Sequence, residues 1–550
     1  MAEAKGRTSL RMVVGASATG TAFEWYDFFV FGSLTQIVSK TFFSGLPETA
    51  GYIAALALFG AGFAFRPLGA LVFGKIGDQT GRKGAFLATV ILMGGATVLI
   101  GCLPSYAQVG ILAPALLVLL RIIQGFALGG EYGGAAIYVA EHSPNNARGR
   151  STSWVQASAT VGFFGALAVI LVSRIVTNSV FGPGSFDAWG WRIPFLFSAG
   201  LLAVSIVMRL KLSESPTFAA MKAEGQVAKR PFKEAFAEWK SLKLVLIALF
   251  SLMVAQGAVW YTAFFYSQTF MEKFLKVPPA TINTLMMALA VLAAALYVVF
   301  GWLSDKLGRK PVMLFGITLM LVAYFPGFHM LSRTLNPALA EAEQRMPVVV
   351  VADPAMCRLQ FDPVGKAAFT SACDIAKSTL ANAGVSYKNA AGPVGAPAQV
   401  RVGDTVVISQ AVTGLPAAEA KAVKAKVEGE IKAAIKAAGY PTAADPARMN
   451  LIGAFFVMSI FITAATALYG PLAASLVELF PTRIRYTAMS LPYNIGTGWV
   501  GGFVPFTAFA IVASVGDIYS GLWFPFAWTA LAVVVGFFFL PETKGRDLNF

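Results

Sequence analysis

The chain has 550 residues, of which 57% are hydrophobic and 13% charged, with a mean hydropathy of +0.67. A soluble domain carries roughly 25% charged residues, so this composition argues against an ordinary soluble protein and for one that lives in a bilayer. The formal net charge of +15 does not make it a nucleic-acid binder, because no basic helix or aromatic-studded groove accompanies the charge.

Backbone polar groups in hydrocarbon must be satisfied within the helix, so a spanning helix needs about 20 mostly apolar residues. Twelve such stretches are read, near 13–38, 50–73, 85–104, 110–140, 154–176, 192–210, 243–269, 280–303, 311–331, 450–474, 486–512 and 519–540. The first carries Glu24 and Asp27 in its middle. It is longer than the apolar core of a cleaved signal, about 7–15 residues, and is expected to stay in the mature protein. The second contains Arg66. The fourth places Arg121, Gln124, Leu128, Glu131 and Ala135 at spacings of 3, 4, 3 and 4, on one helical face. Later spans lack such charges, and their midplane candidates are Gln256, Trp260, Tyr261, Tyr266, Tyr469, Tyr493 and Asn494. Glycine runs at 125–134 and 496–502, with Pro471, Pro492 and Pro505 nearby, let helices pack closely or bend.

Alternate loops are basic: Lys75/Arg82/Lys83, Arg148/Arg150, the run from Arg209 to Lys243, Lys306/Arg309/Lys310, Arg483/Arg485 and Lys544/Arg546. The opposite short loops at 104–112 and 513–519 have no Lys or Arg. The positive-inside rule then puts both termini in the cytoplasm.

An internal repeat runs through this pattern. Gly74-Lys75-Ile76-Gly77-Asp78-Gln79-Thr80-Gly81-Arg82-Lys83 follows the second span, and Gly301-Trp302-Leu303-Ser304-Asp305-Lys306-Leu307-Gly308-Arg309-Lys310 follows the eighth. From Asp78 to Asp305 the offset is 227; from Glu214 in Leu212-Ser213-Glu214-Ser215 to Glu542 in Leu540-Pro541-Glu542-Thr543 it is 328. Two six-span halves in parallel orientation fit this. The second half then holds an insertion of about a hundred residues, placed by composition at roughly 334–447, between spans nine and ten and away from the cytoplasm. The insert reads as a small α/β module, with strands at 348–352 and 399–409 and a helix at 416–438. Cys357 and Cys373 either bridge in an oxidising compartment or remain two buried thiols, and Cys102 is read as packing.

These motifs resemble the major facilitator superfamily, whose signature loop is similar to 74–83. More specific runs resemble its metabolite:H⁺ symporter family, with its shikimate, α-ketoglutarate, citrate and proline/betaine carriers. They are Glu24-Trp25-Tyr26-Asp27-Phe28, Phe65-Arg66-Pro67-Leu68-Gly69, Arg121-Ile122-Ile123-Gln124-Gly125, Gly129-Gly130-Glu131-Tyr132-Gly133-Gly134-Ala135, Glu141, Trp191-Arg192-Ile193-Pro194-Phe195 and the stretch from Glu478 to Arg485. The resemblance covers nearly the whole chain except 334–447. It implies an all-α membrane fold of twelve helices in two six-helix halves (1–210 and 243–333 with 448–550, linked by 211–242). It also implies a multi-pass carrier of a bacterial inner membrane that uses the proton, rather than a cofactor or metal, as coupling ion.

A charge at the bilayer centre costs about 2.5–3.5 kcal/mol on insertion scales, so such residues face the bundle or a wet cavity. Burial disfavours a charged carboxylate and a nearby cation favours it, which makes Glu24, Asp27 and Glu131 proton-coupling candidates. A structural pair holding the first span to the fourth is the other reading. Arg121 is the expected anchor for a substrate carboxylate, since a guanidinium binds one in bidentate fashion. Arg66 is the second, or else a lock on Glu131 or Asp78. Gln124, Tyr26, Trp260, Tyr261 and Asn494 complete the expected substrate site, and Asp78, Arg82, Lys83, Asp305 and Arg309 form an inner gate. Asp78 and Asp305 suit the N-termini of neighbouring helices. No phosphate loop, His-Glu-x-x-His or Gly-x-Ser-x-Gly is present, and only two histidines exist, so neither an ATP-driven pump nor an enzyme is expected. The expected function is proton-coupled symport of a small organic anion by a monomer. A zwitterionic osmolyte is the alternative substrate, and a membrane sensor using the insert is the alternative class.

Overall fold

The computed structural model describes residues 9–44, 62–211, 213–358 and 370–548. In the N-terminal half it has helices α1 (Leu10–Ser33), α2 (Thr35–Phe42), α3 (Arg66–Gln79), α4 (Arg82–Cys102), α5 (Leu112–His142), α6 (Arg148–Phe181) and α7 (Arg192–Leu210). The C-terminal half has α8 (Trp239–Lys273), α9 (Pro279–Leu307) and α10 (Arg309–Leu335), then, beyond the insert, α13 (Leu451–Leu479), α14 (Arg485–Val515) and α15 (Ser520–Phe539). Ten of these are long and apolar enough to cross a membrane. Much of the second expected span, 50–61, lies outside the described residues, and α3 is its continuation. So do Lys5 and Arg7 of the expected cytoplasmic N-terminus, and Leu212 of the repeat.

Helix boundaries follow local chemistry. Ser9 accepts the Met12 N–H to start α1, and Asn450 does the same for Gly453 at the start of α13. The two halves meet along two seams, α6 against α9 and α3 against α14. Glycines make the second possible: a Cβ on Gly74 or Gly77 of α3 would run into Thr487 or Tyr486 of α14. The second glycine run also coincides with irregular helix, whereas the run at 125–134 lies within regular α5. In α14 the segment Ile495–Gly501 is a π-helix, a local widening that frees the i−4 ladder.

The insert follows α10 with a short helix, Pro337–Arg345. It then forms β1 (Val348–Ala352), α11 (Ala372–Asn382), β2 (Tyr387–Ala391), β3 (Gln399–Val402), β4 (Thr405–Ile408) and α12 (Ala417–Ala437). The sheet order is β2-β1-β3-β4, with β1 parallel to β2 and antiparallel to β3. The single strand expected at 399–409 is instead a hairpin, because Gly403 takes φ 56° and turns the chain. Strand β2 and helix α11 were not legible in composition. Pro416 precedes α12, and of its apolar stripe Val423, Val427, Ile431 and Ile435 the last three are buried while Val423 is half-buried. Cys357 and Cys373 form a disulfide, whereas Cys102 is exposed rather than packed.

The insert is fastened to the C-terminal half at the end opposite the signature loops. Tyr387 donates its N–H to Gly516 (2.6 Å) and its hydroxyl to Ala513 (2.5 Å), Asn389 donates to Val515 (2.6 Å), and Lys377 to Ser514 (3.3 Å). These are the carbonyls that a helix end leaves without internal partners, so the insert is the C-terminal cap of α14. It also takes the α8–α9 turn: Lys276 donates to Asn382 (2.9 Å) and accepts from Ala444 N–H (3.0 Å).

Candidate functional site

At the signature-loop end each half closes on the other through one repeated arrangement. Asp78 accepts from the backbone N–H groups of Tyr486 (3.1 Å) and Thr487 (2.8 Å) at the start of α14 and pairs with Arg82. Asp305 accepts from Gly149 and Arg150 (both 2.8 Å) at the start of α6 and pairs with Arg309 (2.6 Å). Each carboxylate therefore meets the free N–H groups and positive dipole end of a helix in the other half. Glu214 caps the N–H groups of Arg82 and Lys83, and Glu542 those of Arg309 and Lys310. Gly81 (φ 133°) and Gly308 (φ 112°) lie against these two carboxylates, where a side chain has neither the conformation nor the room. Lys83 spans to the Leu210 carbonyl at 2.9 Å.

Two further buried pairs cross between the halves: Arg148 with Glu478 and Arg485 with Glu141, each at 2.7 Å. Arg309 also reaches Glu478 at 3.1 Å. Arg148 and Arg485 read as loop charges in the sequence. The correction has a local cause: both begin a helix, and a first-turn side chain leans back along the axis into the seam.

Further from the loops, the seam is sealed by polar contacts and rings. Tyr486 donates its hydroxyl to Gly130 (2.6 Å) and Asn494 its amide to Gly129 (2.9 Å). Tyr132 stacks on Tyr493 with centroids 3.8 Å apart, and Tyr469 and Tyr493 share a hydroxyl bond of 2.9 Å. Asn494, expected on substrate, is thus a seam contact. Beyond this floor a cavity of about 690 Å³ opens between the halves. It is lined by Trp25, Phe29 and Phe163 from one side and Trp260, Phe265 and Tyr297 from the other, with Gln268 and Asn283 as polar groups. Trp25 and Trp260 are 5.7 Å apart, and Trp260 donates its indole N–H to Tyr297 at 2.8 Å. Tyr261 packs behind, against Phe63 and Phe265.

A second cavity, of about 280 Å³, lies within the N-terminal half among α1, α4, α5 and α7. Glu24 and Asp27, together with Glu131 more than a hundred residues further along the chain, all line it. Asp27 accepts from Ser198 at 2.6 Å. Glu131 pairs with Arg209 at 2.8 Å, and Arg209 also donates to the Phe86 carbonyl at 2.7 Å over the Phe86 ring. Sequence reading missed Arg209, counting it into the basic run after the sixth span. Its place two residues before Lys211, at the end of an apolar stretch, hid the fact that it is 1% exposed.

The two expected anchors differ. Arg66 stacks over Phe63 (4.3 Å) and Phe28 (5.7 Å). Among the described residues it has no ion pair, since Glu131 and Asp78 are taken by Arg209 and Arg82. It is close enough to Glu24, Tyr261 and Tyr493 to be felt electrostatically. Arg121 is buried over the Phe31 ring (3.9 Å), donates to Gln124 (2.7 Å), and through it connects to Thr97 (2.7 Å). Arg121 and Gln124 line neither cavity. Tyr26 turns away too, donating to the Pro194 carbonyl at 2.8 Å.

The model of the sugar (and other) transporter family matches residues 12–238, 220–339 and 432–549. The chain belongs to that family. It is 36% identical over 332 residues to the proline/betaine transporter of Salmonella typhimurium, covering 58% of this chain and 64% of that one. To the shikimate transporter of Escherichia coli it is 35% identical over 322 residues, covering 58% and 72%. The chain therefore spans just under two thirds of the Salmonella relative. In fold it is similar to the major facilitator superfamily proton:xylose symporter bound to 6-bromo-6-deoxy-D-glucose, with TM-score 0.63, 16% identity and 98% of each chain covered. The inward-open form of the Escherichia coli xylose transporter gives 0.52, again at 16% identity and 98% of each chain. This family member thus has the major facilitator fold, with its signature-loop end closed.

Proposed function

We propose that the chain is a proton-coupled symporter working by alternating access, and that its solute is small, carries a carboxylate and bears an onium group at its other end. The observation that carries this reading is the seam cavity. Its rings, led by Trp25 and Trp260, form the kind of box that attracts a quaternary or secondary ammonium. No charged side chain is among its lining residues, while Arg66, without an ion pair among the described residues, lies one ring behind Trp25 through Phe28. A zwitterion therefore finds a cation site and an anion site within reach of each other. The relatives named for proline and betaine support this class.

A plain organic anion is the second reading, favoured by Arg66 itself and by the shikimate relative. In both readings the signature loops face the cytoplasm, and the closed pairs at Asp78, Asp305, Glu141 and Glu478 hold the inner gate shut while the seam cavity takes solute from the other side.

Counterflow into proteoliposomes tests this. Labelled betaine, proline, shikimate and α-ketoglutarate are offered one at a time against the same unlabelled solute inside. Exchange of betaine or proline, with acidification inside when the same solute is added outside solute-free vesicles, supports the zwitterion, and exchange of only the acids moves the assignment to anions. Silence across the panel, with ligand binding to the insert, favours the sensor.

A further inference from the structure

The cavity among α1, α4, α5 and α7 is lined by three carboxylates, and one guanidinium is bonded at it. Asp27 has Ser198. Glu131 has Arg209 on one oxygen, while its other oxygen, Oε2, is buried with no hydrogen-bond partner. Glu24 makes no hydrogen bond or ion pair among the described residues, yet it feels Glu131, Arg66, Arg209 and Asp27. Arg209 keeps a donor in reserve, since its Nε is buried and unpartnered. The guanidinium lies against Gly20, one turn before Glu24 on the same face of α1, and any side chain at 20 would displace it. The charged and titratable groups facing this pair are Asp27 from α1, Arg66 from α3 and Tyr486 from α14.

Two buried carboxylates that share one bonded cation do not both stay ionised. We propose that Arg209 is a mobile counter-ion, bonded to Glu131 while Glu24 carries the transported proton and passing to Glu24 as that proton moves to Glu131. The O–H bond of Glu24 breaks and one forms at the free Oε2 of Glu131. The guanidinium moves the opposite way, so one proton, one cation and two carboxylates stay neutral at both stages. From Glu131 the proton leaves to water once the signature-loop end opens. Arg209 is thus a positioning residue that keeps the protonated and ionised carboxylates distinct. Gly20 is the gap through which it passes.

This inference rests on the proton-coupled reading above, and the same proteoliposomes separate the two. Wild-type chain must first show solute exchange; its complete silence sinks the transport reading and this one together. Given exchange, Arg209→Gln is expected to retain it while losing at least tenfold in accumulation driven by a pH gradient, and to lose the pH dependence of exchange. Arg209→Lys restores part of both, and Gly20→Ala shows the Arg209→Gln pattern more weakly. Normal accumulation by Arg209→Gln overturns the proposal. So does equal loss of exchange in Arg209→Gln and Arg209→Lys, which marks a structural role. A readout independent of those variants is the carboxylic-acid C=O infrared band of the purified resting protein. It should lose intensity in Glu24→Gln and keep it in Glu131→Gln, and the reverse result also overturns the proposal.

Discussion

Arg148, the first residue of α6, donates to Glu478, near the end of α13, at 2.7 Å across the seam between the halves, and both side chains are almost fully buried. Its counterpart is Arg485, the first residue of α14, on Glu141 near the end of α5. Each arginine opens a helix in one half and each glutamate closes one in the other. The signature-loop end is therefore held by two equivalent clasps rather than a single lock.

Removing one member of such a pair leaves a buried charge uncompensated, which costs about 3–5 kcal/mol. Glu478→Ala strips both Arg148 and Arg309 of a partner and is expected to lower thermal stability by that order. It should also expose this end of the seam. A cysteine at Ser490, buried in α14, should become reactive towards a membrane-impermeant maleimide from the loop side. Arg148→Ala combined with Glu478→Ala should cost less than the sum of the two single changes; strict additivity would show that the pair carries no coupling.

Trp260 bridges ring and amide chemistry in the seam cavity, against Trp25 on one side and Tyr297 on the other. A desolvated cation–π contact is worth about 2 kcal/mol. Trp260→Leu should raise the KM for a betaine-like solute by roughly thirty-fold on that figure while leaving a plain anion within a few-fold. Equal effects on both solutes would remove the onium assignment.

Much of this arrangement was legible because it repeats. The 74–83 and 301–310 loops pointed to paired Asp caps at helix N-termini, and Tyr486, Thr487, Gly149 and Arg150 are the N–H groups they meet. The Glu214 and Glu542 echo was visible as a pattern but not as a function, since its acceptor role depends on N–H groups more than a hundred residues away. Arg121 stood out by helical spacing, yet spacing only places a residue on a face. The structure turns this end of that face towards Phe31 and Thr97, inside the N-terminal half. Arg209 failed the other way, because a basic residue at a span's end is indistinguishable in sequence from an interfacial anchor. In the insert, β2 was missed because four of its five residues are exposed and carry no apolar alternation.

Lys276 gives a pH dependence at the insert boundary. Burial, with Lys273 and Lys432 nearby, pushes its ammonium down to about 8 from about 10.4 in a free chain. Between these values the unfolded form holds the proton and the folded form does not, so stability rises with pH through that window. Below about pH 8 the full penalty of a buried charge is present. Attachment of the insert, read as resistance to limited proteolysis, should strengthen from pH 8 upwards, and Lys276→Met should flatten the profile. A profile unchanged by that substitution would assign the effect elsewhere.

The Cys357–Cys373 bridge closes a loop with a sequence separation of 16. Loop-closure entropy for about 15 residues corresponds to about 3 kcal/mol, so Cys373→Ser should loosen the insert by that order. Hydrogen exchange of β1 and α11 is the direct measurement. Exchange in the α8 and α14 cores should change little, and a general collapse would contradict an insert that folds on its own disulfide.

The bond from the Tyr387 hydroxyl to Ala513 joins residues 126 positions apart in sequence, and its direction in time matters. The ribosome makes residues 377–389 well before it makes the end of α14, whose last carbonyls they close. With the signature loops facing the cytoplasm as proposed, a membrane helix synthesised near the end of the chain would wait for a module already exported and folded. Failure of export or of oxidation would then appear first as a frayed helix rather than as a loose loop. On that topology the insert would set an order of assembly, in which the end of α14 finishes only once the middle of the chain has crossed the bilayer.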